Sequence, residues 1–75
     1  MPYIAVKAFE KDDATKKEVA ERINQIFLDV WGCKPEAITI SFEEVERTSW
    51  NSEVYEKEIK PKEDKMFILS GEKRY

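Results

Sequence analysis

DATKKEVAERINQIFLDVW, residues 13 to 31, is the stretch that decides the architecture. Val19, Ile23, Ile26, Phe27 and Val30 recur at four, three, one and three residues, which draws one apolar stripe along a helix. Thr15 and Glu18 can form a capping box at its start, or either aspartate, Asp12 or Asp13, can cap it instead. Glu18 and Arg22 make a favourable i,i+4 pair on the solvent side. Gly32 stops the helix and Pro35 blocks its continuation. Phe27 and Trp31, at the end of the stripe, are assigned to the core.

Alternating stretches lie on both sides of this helix. Upstream, residues 2 to 9 put Ile4, Val6 and Ala8 on one face of a strand and Tyr3, Ala5 and Lys7 on the other. Downstream, Ile38, Ile40 and Phe42 alternate with Thr39, Ser41 and Glu43. Strand, helix and strand in this order predict an α/β fold, a right-handed β-α-β unit with parallel strands. Asn51 or Ser52 is expected to cap a short second helix running to about Ile59 and ended by Pro61. The patch Met66 to Leu69 reads as a short strand or an extended C-terminal arm. A two-stranded parallel sheet needs cover on both faces, and one helix covers one face. The expectation is a single domain over residues 1–75, completed by oligomerisation with a second copy of the chain.

Composition removes whole classes of chemistry. The 75 residues carry 13 basic and 16 acidic side chains, a net charge of −3, and no histidine. A Ser-His-Asp triad, a Cys-His dyad and an imidazole metal site are therefore excluded. The one cysteine, Cys33, has no internal disulfide partner, which fits a reducing, cytoplasmic setting. Apolar runs are far too short to span a membrane, and the N-terminus has none of the regions of a signal peptide. A mildly acidic chain has no general attraction to nucleic acid. Two glycines leave no phosphate-cradling loop. A chain this short buries only about 60% of its unfolded surface, so it is marginal as a monomer.

One position still offers acid–base chemistry. Methionine followed by a small residue is normally trimmed, and trimming Met1 turns the Pro2 nitrogen from an amide into a secondary amine. An exposed α-amino group titrates near about 7.7–8.0, and an apolar pocket lowers that by disfavouring the cation. Such an amine can take a proton near neutral pH and give it back. Proline is about 5% of residues, so a Met-Pro start by itself arises in roughly one chain in twenty. Its weight comes from the strand that follows at once and from the β-α-β pattern.

At this point the sequence resembles the 4-oxalocrotonate tautomerase family, small enzymes with a catalytic amino-terminal proline. The resemblance rests on Met1-Pro2-Tyr3-Ile4, Phe9 and the helix, Pro35-Glu36-Ala37-Ile38, Phe42-Glu43-Glu44-Val45 and Trp50. The tail, with Glu58-Ile59-Lys60-Pro61, is similar to the dimeric branch that ketonises phenylenolpyruvate. Asn51-Ser52-Glu53 stands where hexameric members have a Gly-rich hairpin. The resemblance implies a cofactor-independent isomerase without metal, acting on a 2-hydroxy-2-enoate or arylenolpyruvate. It implies Pro2 as general acid/base and Trp50 as the aromatic pocket wall. Two arginines that grip dicarboxylates in the best-known members are replaced, by Lys11-Asp12 after the first strand and by Thr39 in the second. A point-charge lysine is no bidentate arginine, so a monocarboxylate enol, or no carboxylate grip at all, is the better expectation. Arg47 is the first candidate for holding that carboxylate, then Lys11 and Lys7.

Other residues are read more plainly. Cys33 is a packed thiol in a turn, and Glu43, Glu44 and the lysines at 60, 62 and 65 are solvated charges. The expected assembly is a homodimer, with a hexamer as the alternative. Two other functions fit the same scaffold: a non-catalytic dimeric interaction module, and a related dehalogenase or hydratase. A nucleic-acid platform needs more exposed aromatics and basic side chains than Tyr3 and Lys7 supply.

Overall fold

In the computed structural model, which describes all 75 residues, Asp12 sets where the long helix begins. Its Oδ2 accepts the Thr15 N–H at 2.9 Å, and the Thr15 hydroxyl donates to the same carboxylate. Of the alternatives open at this terminus, the aspartate cap is the one adopted. Helix α1 runs Asp13–Ile26 and continues as a π-helical turn, Phe27–Trp31. Glu18 and Arg22 pair across one turn at 2.6 Å. Gly32 ends the helix with φ of +76°, where it and Cys33 both donate to the Phe27 carbonyl. That left-handed closure suits glycine because it has no Cβ to clash. Pro35–Ala37 form one 3₁₀ turn before the chain re-enters the sheet.

Strands β1, Tyr3–Ala8, and β2, Thr39–Glu44, are parallel, as the strand–helix–strand order predicts. Their register pairs Ile4 with Ile40, Val6 with Phe42 and Ala8 with Glu44. Parallel partners point to the same side, so Ile4, Val6, Ile40 and Phe42 form one half-buried face. The opposite face carries Tyr3, Ala5, Thr39 and Ser41, all exposed, and an ion pair at 3.9 Å between Lys7 and Glu43. One side of the sheet is thus apolar and partly covered, while the other is open.

Trp31 is a correction to the assigned core: it is 68% exposed, and Val30 beside it is 84% exposed. The cause is length. Nineteen helical residues span about 28 Å, whereas six residues of strand span about 20 Å, so the helix outruns the sheet beneath it. Phe27 is half-buried and stacks on Trp31, with ring centroids 5.1 Å apart.

Contacts divide the chain into two units, Met1–Val45 and Glu46–Tyr75. In the second, helix α2 starts at Arg47, earlier than the expected Asn51 or Ser52. Its first turn, Arg47–Trp50, is opened by the Ser49 N–H bonding to the Glu46 carbonyl at 3.0 Å. It continues in π-helical form through Asn51–Ile59, because Asn51 and Ser52 tolerate helical angles when the turn before them is already formed. Val54 on this stretch is 4% exposed and is the sole buried residue of the chain. Pro61 sits in the first turn of the 3₁₀ segment Lys60–Lys65, ending the wider helix as predicted. The tail patch forms a hairpin, β3 Ile68–Leu69 with β4 Glu72–Lys73, turned by Ser70 and Gly71 at positive φ. No helix is long and apolar enough to cross a membrane.

Candidate active site

Pro2 stands immediately before β1 and is half-buried. Its carbonyl oxygen accepts the Thr39 N–H at 3.2 Å, which docks it against the first residue of β2. With Met1 attached, the Pro2 nitrogen is an amide. Thr39, at the position where an arginine was sought, gives its N–H to Pro2 and exposes its side chain.

Lys11 lies beyond the other end of β1. Six strand residues cover about 20 Å, so Lys11 and Pro2 of one chain are too far apart to share a small substrate. The Lys11 N–H donates to Glu44 Oε2 at 3.2 Å, while its ammonium takes part in none of the ion pairs of this unit. Beside it, between the strand ends and α1, is a cavity of about 210 Å³. Ala8, Phe9, Val19 and Phe42 line it together with parts of Lys11, Lys16 and Glu44, and almost the whole of its wall is apolar.

Glu44 is the residue that reading the sequence as a solvated charge missed. Its Oε2 also accepts the Lys16 ammonium at 3.0 Å, and Lys16 reaches Asp13 at 3.4 Å. The Lys11 N–H first, then Lys16, holds the Glu44 carboxyl below its ordinary range; in return Glu44 raises the Lys16 ammonium above its own. Asp12 is likewise lowered, by the Thr15 N–H and hydroxyl. The signal for Glu44 existed only in combination: a parallel pairing of the strands brings the end of β2 beside the turn that follows β1.

Arg47 and Trp50 belong to the second unit, where they occupy the ends of the first turn of α2. Three residues apart, they fall on one side of that helix. Arg47 is exposed and Trp50 half-buried. The structure therefore gathers Arg47 with Trp50, and separates Lys11 from Pro2.

Comparison with known proteins gives a consistent result. The family model described as "Tautomerase enzyme" matches residues 2–58. "Tautomerase PptA" of Cronobacter sakazakii is 32% identical over 73 residues, covering 95% of this chain and 96% of that protein. The proteins of the same name from Pectobacterium carotovorum and Pectobacterium atrosepticum are 31% and 32% identical over 73 residues, with the same coverage.

Proposed function

The chain belongs to the tautomerase family and is an isomerase, and on that premise we propose that it ketonises a 2-hydroxy-2-enoate or arylenolpyruvate with Pro2 as general acid/base. The observation that carries this reading is the placement of Pro2 at the head of β1, held through its carbonyl with its nitrogen outside the ladder. The family match also begins on this residue. Once Met1 is removed, the secondary amine takes the enol hydroxyl proton. The oxygen lone pair closes the C2 carbonyl, the double bond shifts, and C3 takes a proton from the prolinium. Atoms balance, and no redox partner enters. Trp50 packs on the substrate, and Arg47 or Lys11 holds its carboxylate. The whole of residues 1–75 then acts as one functional domain.

With Lys11 as the holder of the carboxylate, this site needs more than one copy. Lys11 joins a proline site only if it comes from a neighbouring chain, because its own Pro2 lies at the far end of β1. The open sheet face and the exposed Val30 and Trp31 supply surface for that neighbour. We take the assembly to be a homodimer of the kind that ketonises phenylenolpyruvate.

Ultraviolet-monitored ketonisation of phenylenolpyruvate tests the reading, with the trimmed protein beside Pro2→Ala. Losing general acid–base catalysis costs about 10²–10⁴-fold, and a drop of that size is the expected result. Equal rates in the two proteins remove Pro2 from the mechanism. A trimmed protein no faster than solution removes phenylenolpyruvate as the substrate and favours the non-catalytic interaction module.

A further inference from the structure

The loop of residues 9 to 12 carries Lys11, and its ends are held by identifiable bonds. At its start the Ala8 carbonyl accepts the Val45 N–H at 2.9 Å. At its end Asp12 caps α1 through the Thr15 N–H. Midway, Glu44 reaches in from the end of β2 and accepts the Lys11 N–H at 3.2 Å through the same oxygen that holds Lys16 at 3.0 Å.

We propose that Glu44 is a positioning residue for the reaction: by holding the Lys11 backbone it fixes the point from which the Lys11 side chain reaches the substrate carboxylate. This rests on the carboxylate-holding role proposed above for Lys11. Lysine carries its charge on a flexible four-carbon stem, so the backbone bond at its root is what a neighbour can hold without taking the charge itself. Lys16 completes the device. By pairing with Glu44, itself steadied by Asp13, it satisfies the carboxylate and leaves the Lys11 ammonium unpaired for an anion. The Glu44 and Lys16 side chains are 40% and 25% exposed, and partly exposed pairs add little to stability. Their effect is therefore geometric, felt in how tightly the carboxylate is held.

The test is a double-mutant cycle read in KM and kcat for phenylenolpyruvate. Glu44→Ala is expected to raise KM about fivefold to tenfold with kcat changed less than about twofold, the pattern of lost uniform binding. Glu44→Gln keeps an acceptor oxygen and stays within about twofold of wild type. In a Lys11→Ala background, Glu44→Ala adds less than about twofold, because the residue it positions is gone. If Glu44→Ala multiplies KM equally in both backgrounds, its role is structural and the proposal is overturned. The proposal is equally overturned if Lys11→Ala raises KM and Glu44→Ala does not.

Amide hydrogen exchange at Lys11 gives a readout independent of turnover. Exchange about tenfold faster in Glu44→Ala than in wild type is expected, from loss of the hydrogen bond. Equal exchange overturns the proposal. Should Lys11→Ala leave KM unchanged, the role of Lys11 fails and the proposal falls with it. A protected amide in that case locates the fault in the role of Lys11 and not in the clamp.

Discussion

Pro2 and Thr39 are joined through the proline carbonyl, which accepts the Thr39 N–H at 3.2 Å, and the proline nitrogen takes no part. The link sits just ahead of the first register pair, Tyr3 with Thr39. Removing Met1 therefore changes the chemistry of the nitrogen while leaving the anchor of the residue in place.

That separation predicts an asymmetry between folding and activity. A preparation that retains Met1, identified by intact mass, is expected to melt within about 2 °C of the trimmed protein, an exposed terminal residue mattering little. Its ketonisation rate is expected to be at least about 100-fold lower, because an amide nitrogen is not a base. Full activity in a sample shown to retain Met1 sinks the proline mechanism.

Ser41 lies on the open face of the sheet, opposite Ala5 in the register. Ser41→Arg places a long charged side chain where the proposed partner would sit. Sedimentation is expected to show wild type as a dimer and Ser41→Arg as a monomer, with ketonisation reduced at least about tenfold, since a mispaired charge at an interface costs several kcal/mol. An unchanged dimer moves the interface elsewhere.

Gly32 has φ of +76°, and a Cβ built there meets nothing within 4 Å. Gly32→Ala should thus destabilise through backbone conformation alone, by about 1 kcal/mol in urea unfolding. Gly32→Asn recovers part of this because asparagine tolerates the left-handed region. A loss well above about 2 kcal/mol in either variant points to a packing role.

Acid should weaken the first unit through Glu44 and Asp12. Both carboxyls are held below their ordinary range, Glu44 by the Lys11 N–H and Lys16, Asp12 by Thr15. A depressed folded-state value contributes stability that is present above the unfolded value, near about 4, and disappears as pH falls through the folded one. Lys16, raised by Glu44, has the opposite sign: its contribution is present below the ordinary lysine value and disappears as pH climbs through the raised one. Glu44→Gln/Asp12→Asn should therefore show a flatter fall in Tm than wild type between about pH 5 and pH 2. Parallel acid limbs rule out these two groups as the source.

The period-two alternation of residues 3 to 8 and 39 to 44, and the stripe between them, make the β-α-β unit legible in the sequence. The exposure of Trp31 is not legible there, because periodicity says which way a side chain points but not whether a sheet extends beneath it. The start of α2 at Arg47 is hidden by Asn51 and Ser52, good caps that lie inside a helix already begun. For the site, Pro2 and Lys11 look like neighbours in sequence until β1 sets its length between them. Glu44 sits 33 residues from Lys11, and only the parallel register makes them partners.

Val54, the sole buried residue, has a consequence at the scale of the cell. If so little of the chain is shielded until another copy arrives, its folding equilibrium includes its own concentration, as it does for obligate dimers. Dilution then acts as a denaturant, and the level of expression becomes part of what sets its lifetime.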